Sequence, residues 1–163
     1  MAFRSNIIRE ATIVPSGRSR SGGSSAATTL PAATTIWSTT MAKIPSIVWL
    51  NEPEEHDYPA AHSYLRLIYD DKAANIYVEQ LKGAEVVVFY AKDIFRASGL
   101  SLLGVSNSHV NRDRKKIKAG AELSPILLVR ASAIGKVVIA DGYHRLCAVY
   151  SYDEDALIPC KIV

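Results

Sequence analysis

Five consecutive residues, Asp141-Gly142-Tyr143-His144-Arg145, place a carboxylate, a backbone hinge, an imidazole and a guanidinium within one turn of chain. The apolar run Val137-Val138-Ile139-Ala140 leads into them, and Leu146, Cys147 and Tyr150 follow Tyr143 on one helical face. This pattern predicts a strand, a sharp corner and a helix over Tyr143–Tyr150. Asp141 is suited to capping that helix, because its carboxylate can accept from N–H groups two or three residues on. Gly142 permits both a tight turn and a close approach of ligand to backbone. His144 and Arg145 then fall in the first helical turn, where a positive side chain opposes the helix dipole. A bound anion reverses that sign, since unpaired N–H groups, imidazole and guanidinium all favour it. The expectation is a phosphate-type site, with Gly142, Tyr143, His144 and Arg145 as binding residues and His144 and Asp141 as candidates for proton transfer. The competing structural expectation is that Asp141 only caps, while His144 and Arg145 face solvent or pair with Asp153-Glu154-Asp155.

Further residues can join this site. Asn107-Ser108-His109 precedes a charged helix, and its plainer reading is a capped surface loop. A carboxylate within hydrogen-bond reach can activate a hydroxyl as general base, and Asp93, Asp113 and Glu122 are the candidates besides Asp141. Arg112, Arg114, Lys115, Lys116 and Lys118 form a basic cluster able to meet a nucleic-acid backbone. A solvated helix face explains them equally, because no aromatic residues interleave them as stacking platforms. His56 and His62 flank the acidic Glu54-Glu55-His56-Asp57 turn, but their spacing matches no zinc signature. They read as surface residues, and no metal site is assigned. Cys147 and Cys160 are too few for a disulfide framework and fit inward positions as small hydrophobes.

The elements that must hold these groups are legible in outline. A short strand is expected near Ile47–Leu50, then an acidic turn. A helix follows with Pro59 in its first turn and Ala61, Tyr64, Leu65 and Ile68 inward. A second helix buries Ala73, Ile76, Tyr77 and Leu81 and closes at Gly83. Glu85–Tyr90 carries a strong strand signal. Lys92–Leu103 reads as a short helix or turn interrupted at Gly99, and Asn111–Ala119 as a charged helix ended by Gly120. Ile126–Arg130 and Lys136–Ala140 are strands joined through Gly135. Ala156–Val163 is the closing strand, with Pro159 suggesting an edge or strand-start position. The fold class is therefore α+β, a small mixed sheet over residues 85–163 with flanking helices, preceded by a helical subregion over 41–84.

Residues 1–40 differ in kind. Arg18–Thr40 is dominated by Ser, Ala, Thr and Gly without a sustained apolar period, so little can be buried to offset ordering. The segment is expected to be disordered: either an upstream extension, with Met41 as the natural start, or a transit-type leader, which it resembles in being rich in Arg and Ser and poor in acid. It holds four arginines against one glutamate, which accounts for the whole formal charge of +3. Residues 41–163 balance 15 basic against 15 acidic side chains, unlike a dedicated duplex-DNA binder. No apolar run nears the ~20 residues that span a bilayer, so a reducing cytoplasm and no membrane partner are expected. Oligomeric state is not legible.

From Glu85 to Val163 the chain resembles the ParB/sulfiredoxin-like superfamily. The resemblance rests on an opening strand followed by Lys92-Asp93-Ile94, a helix ending at Gly120, and the run Leu123-Ser124-Pro125-Ile126-Leu127-Leu128-Val129-Arg130. It continues through Ile139-Ala140-Asp141-Gly142-Tyr143-His144-Arg145 to Ile158-Pro159-Cys160-Lys161-Ile162-Val163. ParB-type domains similarly show a Pro-Ile-hydrophobic-Arg strand, a Gly-Glu-Arg-Arg corner and a final Ile-Pro strand. The corner is nearest to the Asp-Gly-His-His-Arg corner of free-serine kinases of this fold, differing at Tyr143. The resemblance also implies that the start of the charged helix approaches the pocket, so that His109 can face His144 across a ligand, with Asn107 beside it. Tyr143 stands where a sulfiredoxin carries its catalytic Cys, so thiol chemistry is not expected. The resemblance implies a nucleotide (ATP, ADP or CTP) or a phosphorylated small molecule as ligand, Mg²⁺ as its companion, and phosphotransfer or nucleotide hydrolysis as the chemistry. Its alternative implication is a non-enzymatic ParB-type module that binds nucleic acid through Arg112–Lys118.

Overall fold

The computed structural model describes residues 45–163; the expectations for residues 1–40 lie outside them. A central four-stranded mixed sheet carries helices on both faces, which is the α+β class expected. In chain order the elements are α1 (Asp57–Leu65), α2 (Asp71–Gly83), β1 (Val86–Tyr90), α3 (Ala91–Ser98) and α4 (Ser108–Lys118). They continue with β2 (Ile126–Ala131), a single 3₁₀ turn (Ser132–Ile134), β3 (Lys136–Asp141), α5 (Tyr143–Tyr150) and β4 (Leu157–Ile162). The strands lie in the order β1-β4-β2-β3. β4 runs antiparallel to β1 and parallel to β2, and β2 and β3 form an antiparallel hairpin.

β2 explains why the sheet is covered twice. Ile126, Leu127, Leu128 and Val129 are all buried, and successive strand residues point to opposite faces. Ile126 and Leu128 pack with Ile94, Val110, Ile117, Leu146 and Cys147 of α3, α4 and α5. Leu127 and Val129 pack with Tyr58, Ala61, Leu65, Ala74, Val78 and Leu81 of α1 and α2. The segment 45–84 thus supplies one layer of the sandwich. Cys147 and Cys160 are fully buried, as expected of small apolar side chains.

Several local expectations change. In α2 the buried stripe is Ala74-Val78-Leu81, while Ile76 is 49% exposed. The two stripes are equally periodic, and the one that turns inward joins the cluster around Ala61 and Leu65 of α1. Tyr64 and Ile68 are exposed rather than inward, and Ile68 lies beyond the end of α1. The Ile47–Leu50 strand shrinks to one bridge between Trp49 and Leu123. Pro159 is at neither an edge nor a strand start: it is the third residue of the interior strand β4, opposite Val88. Its missing N–H is tolerated because the β2 ladder begins only at Cys160.

The corner forms where the sequence places it. Asp141 pairs with Leu127 and Ile139 with Leu128, so β3 holds an extra residue, Ala140, just before the corner. Such a bulge bends the strand and re-aims the side chains beyond it. Gly142 turns the chain at φ 99°, and a Cβ there would lie 2.9 Å from Ile126 Cγ1. Gly120 also has positive φ, 68°, but a Cβ on it would meet nothing within 4 Å. Gly142→Ala therefore combines backbone strain with a steric clash and should cost about 2–4 kcal/mol, against about 1 kcal/mol for Gly120→Ala. Urea denaturation of the two variants measures the difference, and equal losses would refute a steric demand at the corner.

Candidate functional site

The C-terminal end of β3, the N-terminal turn of α5, one face of α4 and the start of α1 surround a cleft of about 810 Å³. That size is within the range of small-molecule sites. Its floor is the corner itself, with Asp141, Gly142, Tyr143, His144 and Arg145 all lining it.

Arg145 organises the floor. Its Nη2 donates to Asp141 Oδ2 at 2.5 Å, and its Nη1 lies 3.3 Å from Asp57 Oδ1. The guanidinium is 14% exposed and Asp57 only 3%. Ser124 Oγ donates to Asp57 Oδ2 and accepts from the Glu54 N–H at 3.0 Å. The Nε of Arg145 is buried without an acceptor among the described residues. Two expectations are corrected here. Asp141 ends β3 and does not cap α5: Gly142 occupies the cap position, and no side chain accepts from the first turn. The charge of Arg145 is also compensated without any anion, because two carboxylates already face it. Neither of them belongs to Asp153-Glu154-Asp155; Asp155 pairs with Lys92 instead.

Two carboxylates around one guanidinium leave a local excess of negative charge. Burial first, and then the nearby charge of Asp57, push the Asp141 carboxyl above its ordinary value, with Arg145 opposing. Asp141 thus holds a proton more readily than an exposed aspartate, a property of groups that exchange protons with ligands.

The opposite wall is basic. His109, Arg112 and Lys116 line the cleft from α4, and His144 lines it from α5. The His109 and His144 rings stack directly, with centroids 4.9 Å apart and planes inclined by 28°. Sequence reasoning brought these two histidines together across a ligand; the structure brings them into contact. Arg112 Nη2 lies 2.5 Å from His109 Nδ1. Burial, and then the neighbouring His109, hold the His144 imidazole below its ordinary pKa, so His144 is neutral at physiological pH.

Asn107 does not line the cleft. Its Oδ1 caps α4 by accepting from the His109 and Val110 N–H groups at 3.0 and 3.2 Å, which removes that acceptor from ligand binding. Among the other carboxylate candidates, Asp113 is buried and borders the cleft, whereas Asp93 pairs with Arg96 on the surface and Glu122 lies elsewhere. The Tyr143 hydroxyl donates to the Ser101 carbonyl and ties the preceding loop to the corner. Cys160 is buried at the sheet and its thiol is pushed up to about 12 by that burial.

Glu54, His56 and Asp57 are the one group among the described residues whose donors converge closely enough to share an ion, all within 4.8 Å of one another. Both Asp57 oxygens are already engaged, by Arg145 and by Ser124. A divalent ion there would also sit beside a guanidinium, so the donor set fits a metal poorly. Asp57 and Ser124 are the site residues that sequence reasoning missed. They lie 88 and 21 residues from Arg145, and nothing in the spacing marks either one. Comparison of the chain with protein-family models, with curated proteins and with solved structures found no match. No helix among the described residues is long and apolar enough to cross a membrane.

Removing the guanidinium from two carboxylates should be costly. Arg145→Ala should destabilise the protein by about 2–4 kcal/mol at neutral pH, because it leaves buried charge uncompensated. The Asp141 pKa is raised in the folded protein, so its contribution is most favourable below the unfolded value of 3.8 and is lost as pH rises through the folded value. Without Arg145 that folded value rises further, so the deficit of the variant should shrink on acidification. Denaturation at neutral and acidic pH, with Arg145→Ala/Asp141→Asn as the recovering double variant, checks this. A loss independent of pH would remove Asp141 from the account.

Proposed function

We propose that the cleft binds a nucleotide or phosphorylated small molecule, with its phosphates against His109, Arg112, Lys116, His144 and the first turn of α5. The observation that carries this reading is the convergence of those four basic side chains, from two helices, beside a helix N-terminus that no side chain caps. Uncapped N–H groups and the helix dipole favour an anion, and Arg contributes charge-assisted hydrogen bonds. Tyr64 and Leu100, 40% and 41% exposed on the rim, offer an apolar surface for a base. ATP, ADP and CTP, with or without Mg²⁺, are the ligands to try first, in keeping with the ParB/sulfiredoxin-like resemblance of the corner.

In this reading Arg145 is a positioning residue that holds Asp141 and Asp57 under the ligand. Asp141 is the group suited to accept a proton. In phosphotransfer or hydrolysis, an acceptor hydroxyl or water would give its proton to Asp141 as its oxygen bonds to phosphorus and the bond to the leaving phosphate breaks. His144 and His109 would stabilise the charge on the transferring group.

The alternative, a non-enzymatic ParB-type module binding nucleic acid, draws on α4, where Lys115, Lys116 and Lys118 are exposed beside Arg112. Arg114 is less available, with its guanidinium 4.8 Å from the Tyr152 ring. Duplex binding that falls steeply with salt and ignores nucleotides would favour it.

Calorimetric titration separates these readings. Arg112→Ala should weaken nucleotide binding roughly 10- to 150-fold, the loss of one charge-assisted contact of about 1.5–3 kcal/mol, without lowering stability, because Arg112 is exposed. An anion favours the charged form of His144, so binding should take up protons, tighten as pH falls from 8 towards about 6, and lose that dependence in His144→Ala. Absence of binding to every nucleotide tested, with and without Mg²⁺, would overturn the proposal.

A further inference from the structure

β1 is an edge strand with apolar side chains on both faces. Val86-Val87-Val88-Phe89-Tyr90 contains no charge and no proline, the devices that ordinarily protect a sheet edge. Val87, Val88, Phe89 and Tyr90 are 38%, 52%, 37% and 47% exposed, and Leu157 beside them on β4 is 56% exposed. The cause is geometric. Leu127, Val129 and Ala140, the sheet residues that α1 and α2 bury, belong to β2 and β3, so on that face the sheet overhangs its helices at β1 and the start of β4.

The backbone of β1 is open in register. Ala91 N–H donates to the Ala156 carbonyl at 2.9 Å, continuing the β1–β4 ladder, in which 87 pairs with 160 and 89 with 158. Antiparallel hydrogen-bonded pairs alternate, so 87, 89 and 91 face β4. Pro159, opposite Val88, has no N–H to offer, which fits the same phase. The N–H and carbonyl groups of Val86 and Val88 and the N–H of Tyr90 therefore point outward, and no described residue pairs with them; the Tyr90 carbonyl is taken by the first turn of α3.

We propose that this edge is where a second copy of the chain docks, β1 against β1 antiparallel, with the two-fold axis at Val88. In that register Val88 exchanges both hydrogen bonds with Val88 of the second copy, and each Tyr90 N–H donates to the opposite Val86 carbonyl. Val87 meets Phe89 on the other face. The ends agree as well. Glu85 precedes β1 and Lys92, which Asp155 holds but which stays 48% exposed, follows it, so antiparallel pairing brings each Glu85 near the opposite Lys92, whereas parallel pairing sets like beside like. Two four-stranded sheets would join as one of eight strands, with Val88 and Tyr90 covered.

Sedimentation of the full chain at tens of micromolar tests this. The expected result is a species of twice the 17.8 kDa chain mass. Val88→Lys sets two ammonium groups against each other at the axis and should raise the dissociation constant at least roughly tenfold. Its circular dichroism should match wild type, because residue 88 touches solvent and not the core. Glu85→Lys, which places like charges at both ends, should weaken association in the same direction. A wild-type monomer at these concentrations overturns the proposal, including one whose edge is covered by another part of its own chain. So does a dimer that persists undiminished in Val88→Lys. Neither outcome bears on nucleotide binding, since the cleft and β1 share no residue.

Discussion

The guanidinium of Arg145 joins three parts of the chain at the corner. Asp57 begins the helical layer on one face of the sheet, Asp141 ends β3, and Arg145 lies on α5 on the other face. Two carboxylates converging in a poorly solvated floor would repel and fail to keep their charge. One cation between them, with Ser124 taking the remaining Asp57 oxygen, makes that convergence stable. The position of α1 relative to the corner therefore depends on electrostatics as well as on the apolar contacts of Ala61 and Leu65.

This constraint changes what the corner can offer a ligand. An arginine free to swing can be the main phosphate contact, but one held by two carboxylates is costly to remove from them. In the proposed reading, recruitment of an anion would then fall to the cations of α4 and to His144. The floor contributes a carboxylate with raised proton affinity and a backbone turn that only glycine fits. Acid and base chemistry would then be separated across the cleft.

Local pattern and long-range pairing differ in how far they can be read from sequence. The β3–corner–α5 unit was legible to the residue at Tyr143 and Tyr150, because apolar periodicity changes from two to 3.6 at Gly142 and the signal lies in adjacent residues. The His109–His144 pairing was legible in outline only through the family resemblance, which brings the start of the charged helix towards the corner. The partners of Arg145 were not. Asp57 sits in an acidic run where Glu54 and Glu55 look equivalent, and only its place at the start of α1 turns it inward. The inward face of α2 was misread because two stripes have the same period, and only the shape of the sheet beneath selects Ala74 and Val78 over Ile76. Asp141 looked like a cap because Asp before a helix usually caps; the bulge at Ala140 and the φ of Gly142 turn it towards Arg145.

Charge balance misleads for a related reason. Residues 41–163 carry as many acidic as basic side chains, which argues against a broad nucleic-acid footprint but says nothing of where those charges lie. In the folded chain Glu54, Asp57 and Asp141 gather on one side of the cleft around Arg145, with His109, Arg112 and Lys116 on the other beside the buried Asp113. A neutral total then coexists with an uneven local distribution of charge. Inside a cleft whose low-dielectric walls focus field lines, that separation governs which ligands enter and how they orient. A ligand carrying phosphate at one end and a neutral, flat group at the other matches the gradient, because only its anionic end gains by approaching α4. A uniformly charged polymer gains from α4 and loses against Glu54 and Asp57. Under the proposed reading, the sign change across the cleft would favour a small polar-headed ligand over a nucleic-acid backbone, a preference that net charge alone cannot supply.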